Sequence, residues 1–343
     1  MAIEYFRRPH HDTDRSAMDA DEPYFDQSDD DGTSSDVSDD VVEVRSDEIP
    51  QYFEEREGRL FHSHGSSPYP LPVDADEQQR QNGLNRLLRR LIGDSSVGPV
   101  RELLAFATGE QRRVVDLGTG TGQWVLDMAR EFPHVRFYGV DIVPIATRYP
   151  PHNVIFEIHD IMEPFRYASR TIDMVHARSI SMAIRDYRAL LQEVGRILRR
   201  GGLFVSCEWS RVPAMADGSD IALRAPRVHA FFTAVRETLR MSLGIASVAQ
   251  QIPRLLEESR LFTNIEAKRF HAPIGDWPTD PEMKAMGHEF REMMVVYARS
   301  MREVLLGGPY AAHAEELTQG YLHDIHTVPG IVSTCLTVHA RRV

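Results

Sequence analysis

Residues 113–124 read RVVDLGTGTGQW: an apolar run closing on an acid, three glycines at every second position, and the start of an amphipathic stretch, WVLDMAREF. An apolar run of this length, bounded by glycine, reads as a buried strand, and the stretch after it repeats at helical spacing. The glycines permit a tight turn and let a ligand approach the backbone closely. A strand, a tight turn and a helix in succession commit this part of the chain to a βαβ unit, because parallel strands need a crossover connection.

The residues downstream keep to that pattern. VRFYGVD, NVIFEIHD and TIDMVHARS read as the second, third and fourth strands, and YRALLQEVGRILRR as a strongly periodic helix stopped by Gly201-Gly202. LFVSCEW is the fifth strand, NIEAKRFHAPI the sixth and GIVSTCLTVHARR the seventh. Strands alternating with helices at this interval imply an α/β fold, a doubly wound and mostly parallel sheet of seven strands with helices on both faces. Helical insertions are expected at about 225–259 and 281–325. In the second, Met283, Met286, Phe290, Met293, Tyr297, Met301 and Leu305 form one stripe. Such a stripe suits a core, and a flexible methionine face also suits a substrate cap.

A glycine-rich turn occurs in more than one nucleotide-binding fold. The dinucleotide pattern GxGxxG needs its third glycine three places after the second. That position is Gln123 here, and the glycine falls at Gly122. Asp116 also sits two residues before Gly118, inside the strand end. The arrangement D-x-G-x-G-x-G resembles motif I of class I S-adenosylmethionine-dependent methyltransferases. Asp141 closes the second strand, where a carboxylate can accept both hydroxyls of a ribose. A nicotinamide enzyme places an acid similarly. Such an enzyme is disfavoured by Gln123 and by the lack of a Tyr-x-x-x-Lys pair, since Lys268 and Lys284 are the only lysines.

Longer segments narrow the resemblance. YFEEREGRLFHS, YPLPVDADEQQRQN, DLGTGTGQW, PPHNVIFEIHDIMEPF, VHARSISMAIRDY and LRRGGLFVSCEW together look like the fungal LaeA-like methyltransferases, over roughly residues 50–340. Where the group has RDW, this chain has Arg185-Asp186-Tyr187. The resemblance implies S-adenosyl-L-methionine as cofactor, held by Asp116, Gly118, Thr119, Gly120, Gly122, Asp141 and Ile142. It implies that Asp160 and Ile161 meet the adenine, and that Ala177 and Arg178 line the methionine side. Asp160 can equally cap its own loop. His176 and Glu208 are the candidate catalytic residues, His176 being either a base or a packed histidine. Methyl transfer needs mainly alignment and exclusion of water, so only an acceptor hydroxyl would call for such a base. Two functions remain open. One is an active methyltransferase on a small-molecule acceptor of secondary metabolism; the other is a cofactor-binding regulator acting through partners in a nuclear complex.

Charge divides the chain. Residues 1–48 carry 16 acidic side chains against 4 arginines, a net of −12, which is the net charge of the whole chain. Residues 49–343 are therefore balanced, with no basic footprint for direct nucleic-acid binding. Stretches such as SDDDGTSSDVSDD suggest a disordered acidic tail over 1–48. It would serve either as a solubilising tail or as a docking or phosphorylation segment for a protein partner. Residues 49–110 read as an approach segment and helices, and 111–343 as the methyltransferase domain. No apolar leader or membrane-length run occurs. Cys207 and Cys335 are too few for a disulfide framework, so a reduced cytoplasmic or nuclear setting is expected. They fall on strands five and seven, as small buried hydrophobes. His62-x-His64 and His323-x-x-His326 lack a companion cysteine cluster, and no metal site is expected.

Overall fold

The computed structural model describes residues 5–7, 42–106, 108–109 and 111–343. Seven strands form its centre: β1 (Arg113–Leu117), β2 (Arg136–Asp141), β3 (Val154–Ile158), β4 (Ile172–Arg178), β5 (Leu198–Trp209), β6 (Phe262–Pro273) and β7 (Ile331–Arg342). Their order is β3-β2-β1-β4-β5-β7-β6. β1 to β5 run parallel, and β7 lies antiparallel to both β5 and β6. The connections leave β1 toward β2 on one side, while β4 lies on the other. The loops at the carboxyl ends of β1 and β4 thus diverge, opening the crevice where this fold class binds its ligands.

The long helices are α1 (Ala75–Ile92), α2 (Gln123–Glu131), α3 (Tyr187–Ile197), α4 (Pro226–Leu243), α5 (Ile252–Ser259), α6 (Pro281–Leu306) and α7 (Ala314–Thr327). Their ends follow local chemistry. Asp74 caps α1 by accepting from the Glu77 amide, and Gly93 ends the helix in the left-handed region. Asp280 caps α6, with Pro281 behind it at the first helical position, where its missing N–H costs nothing. Helix α5 carries Pro253 at its second position, and a 3-10 turn over 249–251 leads into it.

Helices α4, α6 and α7 pack into the cap. Phe231 stacks on Tyr321 at 4.6 Å between ring centres, and Phe232 on Tyr297 at 6.4 Å. The stripe on α6 is largely as expected: Met286, Phe290, Tyr297, Met301 and Leu305 are buried. Met294 joins them, while Met293 is half-buried. The sulfur of Met293 fills the space beside Gly83 of α1, 3.0 Å from where a Cβ would stand. Close approach of the two helices at a glycine accounts for the exchange.

Two short segments within 1–48 are described. Tyr5–Arg7 adds a parallel strand beyond β3, pairing Phe6 with Glu157, and Val42–Val44 pairs with it antiparallel. Tyr5 and Val44 are buried, and Arg7 bonds Glu48 at 2.5 Å. Residues 5–7 and 42–44 therefore add to the sheet. Their short apolar alternation gives a strand something to bury, which the acidic runs lack. Residues 8–41, which hold those runs, lie outside the described residues. Cys207 and Cys335 face each other across β5 and β7, buried, with sulfurs 2.9 Å apart and no disulfide.

Candidate functional site

The glycine turn is built from both sides. Its three glycines all have positive φ: 63° at Gly118, 56° at Gly120 and 74° at Gly122. A side chain at Gly122 would place a Cβ 2.5 Å from the Phe156 ring. On one flank, the Gly120 amide donates to Asp141 Oδ2 at 2.7 Å, and the Val143 amide donates to Asp141 Oδ1 at 3.2 Å. Burial pushes the Asp141 carboxyl above its ordinary value, against the pull of those amides. On the other flank, Thr121 donates to Asn82 of α1 at 2.7 Å. The approach segment is thus part of the site's wall.

Asp116 locks the turn from beneath. Its Oδ2 accepts from the Thr119 hydroxyl at 2.7 Å, and its Oδ1 lies 2.7 Å from His176 Nδ1. Asp116 and His176 pair in register across β1 and β4. The His176 ring stacks on Trp124 at 3.7 Å and 12°. Burial pushes His176 below its ordinary pKa, although Asp116 favours the charged form. These contacts make His176 a packed histidine that steadies Asp116. Asp116 borders the main cavity and His176 does not, so the histidine meets that space only through Asp116. Ala177 is also corrected: it is fully buried in the sheet's core and does not line the cavity.

The other expected residues converge. Gly118, Thr119, Gly120, Asp141, Ile142, Asp160, Ile161, Arg178 and Glu208 all border one cavity at the carboxyl ends of β1, β2, β4 and β5. Asp160 accepts from the Ser66 amide at 2.9 Å, the Ser66 hydroxyl at 3.2 Å and the Met162 amide at 3.0 Å. It therefore holds down the 63–69 loop as well as facing the cavity. Gly122 sits behind the turn, against Phe156. Glu208 is 1% exposed and accepts from the Ile180 amide at 2.8 Å. Burial pushes its carboxyl up to about 7.

Several lining residues escaped the sequence reading. Tyr69, Arg80 and Gln81 come from the approach segment, and Phe232, Phe290, Met294 and Tyr297 from the cap. Only the methionine stripe on α6 hinted at the latter. Arg211, just past β5, is a further member, 6% exposed. The Trp209 ring packs on Phe290 at 5.1 Å and 30°. The histidine pairs are spent elsewhere: His62 has both ring nitrogens beside backbone carbonyls, at 3.2 and 3.1 Å.

These residues fit S-adenosylmethionine. Gly118 and Gly120 leave backbone bare where any Cβ would intrude. Asp141 borders the cavity, and its two carboxylate oxygens accept from the Gly120 and Val143 amides, with lone pairs to spare for further donors. The spacing also departs from the dinucleotide turn. A family model described as a methyltransferase domain matches residues 79–241. Over 262 residues the chain is 29% identical to the secondary metabolism regulator laeA of Coprinopsis cinerea, covering 74% of this chain and 64% of that one. The chain thus spans slightly less than two thirds of that relative. It is also 29% identical to the methyltransferase pytC of Aspergillus terreus, over 70% of this chain and 72% of the relative. A solved geranyl diphosphate C-methyltransferase from Streptomyces coelicolor aligns at 14% identity and a TM-score of 0.42, covering 87% of this chain and 97% of that one. Residues 79–241 thus carry a methyltransferase domain of the S-adenosylmethionine-dependent class, and the chain as a whole is similar to the LaeA-like group.

Proposed function

We propose that this protein transfers a methyl group from S-adenosylmethionine to a small, largely apolar acceptor in fungal secondary metabolism. One observation carries the reading. A single cavity runs from the glycine turn and Asp141 to the aromatic wall of the cap, formed by Phe232, Phe290 and Tyr297. It thereby joins a cofactor crevice to a pocket suited to an apolar molecule.

In this reading Asp141 takes the ribose hydroxyls, Ile142 and Ile161 flank the adenine, and Asp160 accepts from its amino group. The backbone of Gly118–Gly120 and Arg178 face the amino-acid end. When bound, the cofactor supplies a methyl group already activated by its positive sulfur. The chain's own work is to align the acceptor and keep water out, which good alignment can turn into about 7–11 kcal/mol of barrier lowering. Glu208 borders the same cavity. For a hydroxyl acceptor it takes the proton, since a base near neutral pKa suits that task.

The test is to incubate the full chain with tritium-methyl S-adenosylmethionine and a panel of hydroxylated and carboxylated aromatic compounds. Label in an extractable small molecule, without any added protein, supports the proposal. Label that appears only in added protein, or only when a protein partner is supplied, would overturn it.

A second reading draws on the first relative, which is itself named a regulator. Here the chain binds cofactor but acts through a protein partner in the cytoplasm or nucleus. The support is the concentration of acid in residues 1–48, which suits a docking arm. Among the described residues, no helix is long and apolar enough to cross a membrane.

A further inference from the structure

Two arginines deep in the cavity wall are treated differently by their surroundings. Arg80 of α1 is fully matched: its Nε and Nη2 donate to both oxygens of buried Glu77, at 2.8 and 2.5 Å. Arg211 has no such match. Its Nη2 donates to the Ala246 carbonyl at 2.8 Å and reaches the Ser181 hydroxyl at 3.5 Å. Among the described residues its other nitrogens have no acceptor, and no carboxylate forms an ion pair with it. The acid that bears on it is Glu208, whose carboxyl is already engaged by the Ile180 amide.

A guanidinium taken from water and left without an anion is costly unless something supplies the charge. The cavity that Arg211 borders is also lined by Trp209, Phe232, Phe290, Met294 and Tyr297, an apolar and aromatic set. Its hydrogen bonds go to residues 181 and 246, not to the glycine turn. We infer that Arg211 anchors a carboxylate on the acceptor, whose aromatic-sized body packs against Trp209, Phe290 and Met294. This inference rests on the proposed function, and it names the acceptor class. A planar guanidinium matches a carboxylate with two parallel hydrogen bonds and discriminates against an uncharged amide of the same shape.

The test uses the full chain saturated with S-adenosylhomocysteine, titrated with biphenyl-4-carboxylate and with biphenyl-4-carboxamide. The carboxylate is expected to bind about tenfold more tightly, as for a charge-assisted contact. Arg211→Gln should erase that preference and Arg211→Lys should keep part of it, while both variants bind S-adenosylhomocysteine as the wild type does. Equal binding of the two probes, binding of neither, or a preference that survives in Arg211→Gln would overturn the inference. So would a loss of S-adenosylhomocysteine affinity in Arg211→Gln, which would assign the arginine to the cofactor's own carboxylate. If the wild type fails to bind S-adenosylhomocysteine, the cofactor reading falls instead, and the carboxylate preference is then measured on the chain alone.

Discussion

The Gly120 amide donates to Asp141 across 2.7 Å, so the glycine turn after β1 and the acid closing β2 form one hydrogen-bonded unit. Neither can shift without the other. Asp141→Ala removes the acceptor of two backbone amides and, in the proposed site, the partner of the ribose. Hydrogen bonds to a charged group contribute about 1.5–3 kcal/mol each, so losing both ribose contacts should lower cofactor affinity by about 100-fold or more. Calorimetric titration reads this, and near-unchanged far-ultraviolet circular dichroism shows that the fold survives.

His176 separates a structural role from a catalytic one. His176→Phe keeps a ring against Trp124 but leaves Asp116 Oδ1 without its partner. Stability should drop by about 1–3 kcal/mol, the cost of an unsatisfied buried acceptor, as read by guanidinium unfolding. The pH dependence of methyl transfer should keep its shape. Loss of that dependence in the variant would restore His176 as the base.

Glu208 should govern the pH response. Its folded pKa of about 7 stands above the ordinary value of 4.5, because burial disfavours the charge. A raised carboxyl holds its proton more tightly when folded. Its penalty is therefore absent below the lower value and grows as pH rises through that window. The wild type should lose stability relative to Glu208→Gln as the pH climbs to about 8. Over the same range, transfer to a hydroxyl acceptor should rise in the wild type and stay low and flat in the variant. Paired thermal melts and rate profiles check both.

Gly122 is constrained twice. It sits at a φ of 74°, and a Cβ there would stand 2.5 Å from Phe156. Gly122→Ala combines a strained backbone, about 1–3 kcal/mol, with overpacking of similar size. Guanidinium unfolding should show a loss at least as large as that of His176→Phe, together with weakened cofactor binding.

Much of this architecture is legible in the sequence, since the buried parallel strands are continuous apolar runs and the glycine turn has a fixed spacing. Asp141, Asp160 and Glu208 stand out in the sequence because they lie at or just past strand ends, and strand ends converge at a crevice. What stayed hidden depends on contacts between distant segments. Nothing local in VHARS says that His176 will meet Trp124, or that Ala177 will face the core. Arg211 follows β5 in a loop with no periodicity, and its burial arises only when the cap folds over it. Tyr5–Arg7 is three residues long, too short to stand out beside the acidic runs that follow.

The most direct test is calorimetric titration of the full chain with S-adenosylmethionine, with NADH as the control. Micromolar binding of S-adenosylmethionine alone, weakened in Asp141→Ala, is the expected result. Binding of NADH in its place, or S-adenosylmethionine binding that Asp141→Ala leaves untouched, would contradict the site described above.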